Sequence, residues 1–282
     1  MSVSATGRPR GFSRATLTFI RKRVLVPLLV FVPLGYFLPK TLVFFAICGI
    51  YDIARNRALN ATMVRRYFLG NGLGSWLLSP FNLLMDILTL PYINKGVYRL
   101  EDLPAGHQEE INRLIETVKR ENLVGQVEEY VKASPRTMIF FKWYGSDIDG
   151  ALKAPALQQR WKYIQTIGIS VFNRKSSTSR HFGPLRATLR MLYNINDMTD
   201  RAAFIVVGDK VNYWCENKLF IFDDTLAHQS FNETEERRYC LFVDITRPSL
   251  INGVMAAIVR LICLVTRPFN RGFYRYWKIV QR

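Results

Sequence analysis

Among 282 residues there are only three histidines, at positions 107, 181 and 228. Neutral imidazole is the commonest side-chain ligand for a first-row metal, so these positions bound any metal chemistry the chain can do. His107 stands among acids at the start of a helical pattern and reads as a solvated side chain. His181 and His228 differ, because each lies beside a strand-like run and the two are 47 residues apart. Two strands could bring such residues to one end of a β structure, where they could hold a metal. Ordinary core or loop histidines remain open on spacing alone. The four cysteines (48, 215, 240 and 263) form no C-x-x-C pair, and are read as reduced thiols rather than a disulfide or zinc framework.

The elements that would carry these histidines begin near residue 138. Runs at 138–144, 166–173, 188–195, 203–207, 211–215, 218–222 and 239–245 are rich in β-branched and aromatic residues, with turn residues between them. So many short strands in about 110 residues predict a sandwich or jelly roll. Ahead of them, residues 106–121 place Ile111, Leu114, Ile115 and Val118 on one helical face, with acids leading and bases trailing as the helix dipole favours.

The net charge of +17 is unevenly placed. Residues 1–66 carry eleven Lys/Arg against one acid, and residues 247–282 carry seven against none, so residues 67–246 are neutral overall. Basic, apolar ends around a neutral middle do not make a nucleic-acid face. They predict a domain fixed to an anionic membrane surface. Residues 24–51 form an apolar run whose single charge is Lys40, with prolines at 27, 33 and 39 and basic residues on both sides. That composition predicts a membrane hairpin turning near residues 36–40, with both ends cytoplasmic. A cleaved signal peptide is not expected, since the basic lead is long and no small-residue cleavage site follows. Residues 69–92, broken at Pro80, suit an interfacial or packed helix. Residues 250–265 lead into alternating basic and aromatic residues that suit an amphipathic helix at a lipid interface. The expected organisation is an anchoring region over 1–66, a helical connecting region over 67–137, a β domain over 138–248 and a basic amphipathic segment over 249–282.

Within the β domain a resemblance emerges. Ser170-Val171-Phe172, His181-Phe182-Gly183-Pro184 and Leu189-Arg190-Met191 resemble the first half of the aspartyl/asparaginyl β-hydroxylase family. Phe222-Asp223-Asp224-Thr225-Leu226-Ala227-His228, then Arg238, then Val243-Asp244-Ile245-Thr246-Arg247-Pro248 resemble the second half. Upstream, Ser79-Pro80-Phe81-Asn82-Leu83-Leu84-Met85 and Lys142-Trp143-Tyr144-Gly145 look like the membrane-bound branch, the lipid A hydroxylases and related lipid hydroxylases.

The resemblance implies a mainly β, double-stranded β-helix (cupin-like) dioxygenase that uses Fe(II), 2-oxoglutarate and O2. Carried over, His181 and His228 bind iron, Arg238 clamps the distal carboxylate of 2-oxoglutarate with Ser170 adding a hydroxyl, and Arg190 reaches the other carboxylate. A guanidinium suits that work because it forms a bidentate, charge-assisted pair with a carboxylate. Asp223 and Asp224 read as residues supporting the strand before His228. Two positions depart from the common pattern: Gly183 offers no acidic ligand two residues after His181, and Leu192 replaces the histidine often found two after the arginine. The soluble branch shares that glycine and is understood to work with two histidines, whereas the lipid branch more often has an acid there. The implied reaction is hydroxylation of a lipid acyl chain at the cytoplasmic face of the inner membrane. The alternatives are hydroxylation of a protein or peptide, and a non-catalytic jelly-roll module tethered to the membrane. No nucleic-acid partner is expected, and the oligomeric state is not read from the sequence.

Overall fold

The computed structural model describes residues 25–90, 92, 95–131, 134–149, 152–266 and 278–279. The chain divides into two compact units, residues 1–48 and 49–282. A helix over Val26–Phe37 in the first ends at Leu38, and a second helix, Pro39–Ala54, begins at once and continues past residue 48. Pro39 has no N–H to give and disfavours helical backbone at the residue before it, so the break falls inside the expected turn. No helix among the described residues is long and apolar enough to cross a membrane, and the spanning form of the predicted hairpin is therefore not found. The basic triplet at 21–23, and the basic and aromatic residues at 267–277, lie outside the described residues.

The larger unit is built on two antiparallel sheets. Its strands are β1 (Val97–Tyr98), β2 (Arg136–Trp143), β3 (Ser146–Asp147), β4 (Ile164–Phe172), β5 (Ser176–Ser177) and β6 (Thr188–Asn194), then β7 (Ala203–Val207), β8 (Lys210–Tyr213), β9 (Leu219–Phe222), β10 (His228–Asn232), β11 (Arg238–Thr246) and β12 (Lys278–Ile279). The major sheet runs β1-β9-β6-β11-β4-β2-β12, with β3 on β2, and the minor sheet runs β5-β10-β7-β8. Only the β12–β2 pair is parallel among these. All seven expected runs are strands.

Side-chain alternation splits the core in two. Odd-numbered residues of the major sheet, among them Ile167, Met191 and Leu241, pack against Ile111, Leu114 and Val118 of the helix Ala105–Arg120. Even-numbered ones, such as Leu192, Cys240 and Phe242, meet Ala203, Ile205 and Val207 of the minor sheet. This second layer lies between the two sheets.

Three expectations are corrected. β10 was not foreseen, because its buried face is His228, Ser230 and Asn232, an inverted pattern in which polar residues point inward. His107 is not solvated. It is 1% exposed, stacks on Tyr163 at 3.9 Å and donates from Nε2 to the Thr246 carbonyl at 3.0 Å. Burial pushes its pKa down to about 4. Pro80 does not break a helix but opens one, Ser79–Leu88, where a missing N–H costs nothing. In addition, residues 49–66, expected in the anchoring region, fold with the β unit.

Candidate active site

His181 and His228 face each other in an isolated antiparallel bridge. Each backbone N–H donates to the other's carbonyl, at 3.0 and 2.9 Å. Directly opposed residues send their side chains to one face, and here the imidazole centroids are 4.1 Å apart. Nδ1 of His181 lies 2.7 Å from the Ser179 carbonyl, and Nδ1 of His228 lies 2.8 Å from the Leu226 carbonyl. A carbonyl only accepts, so each Nδ1 carries the proton and donates it. Both rings therefore keep the Nε2 lone pair, the arrangement that fixes a metal-binding imidazole. Burial pulls both pKa values down, and the neighbouring His181 lowers His228 further, so the pair is neutral at neutral pH.

Among the described residues no group of three or more His, Cys, Asp or Glu side chains is placed to hold a metal. The donor set is two imidazoles, with the carboxylate of Asp224 at 3.5 Å from His228 Nε2. The structure explains Gly183. Its N–H donates to the Asp224 carbonyl at 2.7 Å, and its own carbonyl accepts from Ser75 Oγ at 2.6 Å. A Cβ at residue 183 would lie 1.7 Å from Asp224 Oδ2 and 2.9 Å from the Asp224 carbonyl oxygen. Asp224 already occupies the space an acid at 183 would need. Gly183→Ala is thus expected to push the His181 and Asp224 segments apart, lowering stability by about 1–3 kcal/mol as overpacking does and weakening ferrous-ion binding. Gly74→Ala is the control, since its Cβ would meet Pro184 at an ordinary 3.7 Å. Thermal melts and iron titration of the two variants should separate them, and equal behaviour would contradict this account of Gly183.

Arg238 is 1% exposed on the inner face of β11. Its guanidinium lies over the rings of Phe172 (4.2 Å) and Trp214 (5.0 Å), and Nη2 donates to Ser230 Oγ at 2.9 Å. Nε and Nη1 have no hydrogen-bond partner, nor does the buried Nε1 of Trp214. Buried donors are rarely left unmatched, and these define a place for an anionic acceptor. Burial lowers the pKa of Arg238 to about 10, so the group remains charged at neutral pH. Ser230 is two residues from His228 on the same face of β10, about 7 Å along the strand at the usual rise. Ser170 is buried opposite Cys240 and donates to its carbonyl at 3.3 Å.

Arg190 is where the sequence reading needs amendment. Its Nε donates to Asp244 Oδ1 at 2.8 Å, its Nη1 and Nη2 reach Asp224 at 3.2 and 3.3 Å, and it stacks on Phe242 at 3.8 Å. Two internal carboxylates already hold the guanidinium that was expected to reach the co-substrate. Asp224, read as support for the next strand, instead links Arg190 to the His228 imidazole.

A buried ionic network, which sequence reasoning missed, holds both histidine segments. Arg186 pairs with Asp52 and, at 2.8 Å, with Asp86, while Asp223 receives Arg247 at 2.6 Å and Arg55 at 3.1 Å. Burial alone would raise the Asp223 pKa, but Arg247, Arg55 and Arg186 outweigh it and hold the carboxyl well below its usual range. Asn82 joins in, donating to the Pro184 carbonyl and accepting from the Arg186 N–H, and Asn56 accepts from the Ala227 N–H. Of the side chains in this network only Asn82, Asp223 and Arg247 stood in quoted motifs. The partners Asp52 and Asp86 lie in apolar stretches, and an isolated acid there was the one available signal.

Comparison with known proteins follows the same residues. Residues 128–248 match the family model described as aspartyl/asparaginyl beta-hydroxylase. A curated protein of Rhizobium tropici, named ornithine lipid ester-linked acyl 2-hydroxylase, is 33% identical over 95 residues, which cover 33% of this chain and 34% of that protein. The chain thus spans about a third of the length of that relative. Among solved structures, a Burkholderia pseudomallei oxidoreductase of the 2OG-Fe(II) oxygenase family matches at 14% identity and a TM-score of 0.26, over 31% of this chain and 44% of that one. A Schizosaccharomyces pombe cupin domain matches at 8% identity and a TM-score of 0.26, over 31% and 56% of the two chains. These scores carry no argument about the site.

Proposed function

We propose, from the match of residues 128–248 to the aspartyl/asparaginyl β-hydroxylase family model, that this chain is an Fe(II)- and 2-oxoglutarate-dependent hydroxylase of a membrane-lipid acyl chain. The observation that carries the chemistry is the pair of Nδ1-anchored imidazoles on one inner face with the unmatched guanidinium of Arg238. The residues fit the two groups. His181 and His228 would hold the metal, and Arg238, with Ser230 and Trp214 beside it, would take the distal carboxylate of 2-oxoglutarate. Bound iron and 2-oxoglutarate supply O2 activation, with succinate and carbon dioxide as co-products and one oxygen atom delivered to a C–H bond.

The protein's own contribution is orientation and exclusion of water. The carbonyls of Ser179 and Leu226 fix both rings, and Phe172 and Trp214 keep the guanidinium in one plane. Asp244 and Asp224 hold Arg190 beside the imidazoles, as a fixed positive group near the site.

A lipid substrate is supported by the name of the Rhizobium relative. It is also supported by the outer faces of the helices Ser79–Leu88 and Asn252–Thr266. These pack together through Met85, Met255 and Val259, yet leave Leu84, Ile87, Val254, Leu261 and Leu264 exposed. With the basic ends, such a face suits an anionic bilayer. In this reading the chain works at the cytoplasmic face of the inner membrane, and the N-terminus and the β unit share that side. Reporter fusions at residues 5 and 130 should then report one compartment, and opposite compartments would refute the topology.

The function itself is tested by lipid extracts of cells with and without the chain. A lipid class that gains one oxygen only when the chain is present is expected. An unchanged lipidome alongside hydroxylated Asp or Asn in a membrane protein would favour the peptide substrate that the family name suggests.

A further inference from the structure

We propose that a basic cavity beside His228 receives the anionic headgroup of the lipid whose acyl chain is hydroxylated, an inference that rests on the lipid reading above. The cavity is about 530 Å³ and is lined by Arg55, Arg57, Lys95 and Lys210, with Asp209 the one acid. Arg57 and Lys210 have no carboxylate partner among the described residues. The Arg55 side chain is only 10% exposed and is held through Nη2 by Asp223, while its Nη1 has no hydrogen bond and no carboxylate oxygen closer than 3.9 Å. Lys95 is steadied by Asp102 at 2.8 Å. Cations in this number around one concavity, two of them unmatched, suit an oxyanion.

The rest of the lining is apolar, including Val97, Val207, Phe220 and Leu226. A free anion has no use for such walls, whereas an amphiphile needs both. The walls also lead to the histidine pair. Leu226 gives its carbonyl to His228 Nδ1, and Val207 is the register partner of His228. From Phe220 the ring of Phe222 is 5.6 Å away, and from Phe222 the His228 ring is 5.2 Å away. A headgroup seated among the cations would start its acyl chain against Phe220 and Leu226, on the wall of the cavity that adjoins the histidine pair.

The test titrates the full-length chain, in neutral detergent without iron or 2-oxoglutarate, by calorimetry. The probes are water-soluble dihexanoyl phosphatidic acid, dihexanoyl phosphatidylcholine and inorganic phosphate. Phosphatidic acid should bind at least tenfold more tightly than phosphatidylcholine. Its affinity should fall roughly five- to tenfold in Arg57→Gln and in Lys210→Gln, and further in the double variant, as loss of a charge-assisted contact implies. Arg238→Lys, deep in the barrel, should leave this affinity as it is, which separates the headgroup site from the co-substrate site even if the hydroxylase reading fails. Unchanged phosphatidic acid binding in the double variant, or equal affinity for the two lipids, would overturn the proposal. Inorganic phosphate binding as tightly as phosphatidic acid, with the same dependence on Arg57 and Lys210, would overturn it in favour of a free-oxyanion site.

Discussion

Arg238→Lys is expected to weaken 2-oxoglutarate binding by about ten- to a hundred-fold. The guanidinium presents Nε and Nη1 unmatched in a buried site, lying over Phe172 and Trp214 while Ser230 holds Nη2. A dicarboxylate arriving there gains a bidentate, charge-assisted pair, worth about 1.5–3 kcal/mol for one such contact. Lysine retains the charge but loses the planar fork and the ring stacking, so the keto acid is held by one point and misaimed at the imidazoles. Arg238→Ala should cost more, because a cavity is added to the lost contact. Arg237→Ala is the matched control. Arg237, the residue before β11, binds Glu128 and Asn173 instead, and its loss should change co-substrate affinity little. Titration of 2-oxoglutarate into the iron-loaded variants checks this, and equal effects at 237 and 238 would place the clamp elsewhere.

The largest effect is expected at the histidines. His181→Ala and His228→Ala should each abolish iron-dependent turnover, because the two imidazoles are the donor set and, among the described residues, no third side chain completes it. The fold should survive, since the bridge between the two residues is made by backbone atoms that alanine also has. His228→Ala carries the greater structural cost. His228 is the more buried of the two and lies 5.2 Å from the Phe222 ring, so its removal opens space in the inner layer. Circular dichroism, iron titration and turnover on the same preparations check the three statements. Full activity with stoichiometric iron in either variant would sink the assignment.

What could be read from the sequence was local. Enrichment in β-branched and aromatic residues between turn residues marked the strands that bury apolar residues, and the family resemblance of the quoted motifs singled out His181, His228 and Arg238. It failed where burial serves polar groups. β10 turns His228, Ser230 and Asn232 inward, so the pattern that marks a half-buried strand is reversed there. His107 stands among acids on the helix Ala105–Arg120, yet it faces Tyr163 and Thr246, and no local feature announces that contact. The ionic network around Arg186 and Asp223 joins residues up to 168 positions apart, and a charge alone in an apolar stretch does not reveal its partner. Arg190 shows the remaining gap: the resemblance implied a co-substrate ligand, and only the fold shows that Asp224 and Asp244 hold it already.

The central claim, that the His181–His228 pair and Arg238 together perform a 2-oxoglutarate-coupled hydroxylation of a lipid, is tested most directly with the purified chain. It would be supplied with Fe(II), 2-oxoglutarate, labelled O2 and total membrane lipid, with succinate and labelled lipid counted together. The expected result is one succinate per hydroxylated acyl chain, with the label in the new hydroxyl, and loss of both products in His228→Ala. Lipid hydroxylation that proceeds without 2-oxoglutarate, or persists undiminished in His228→Ala, would contradict it.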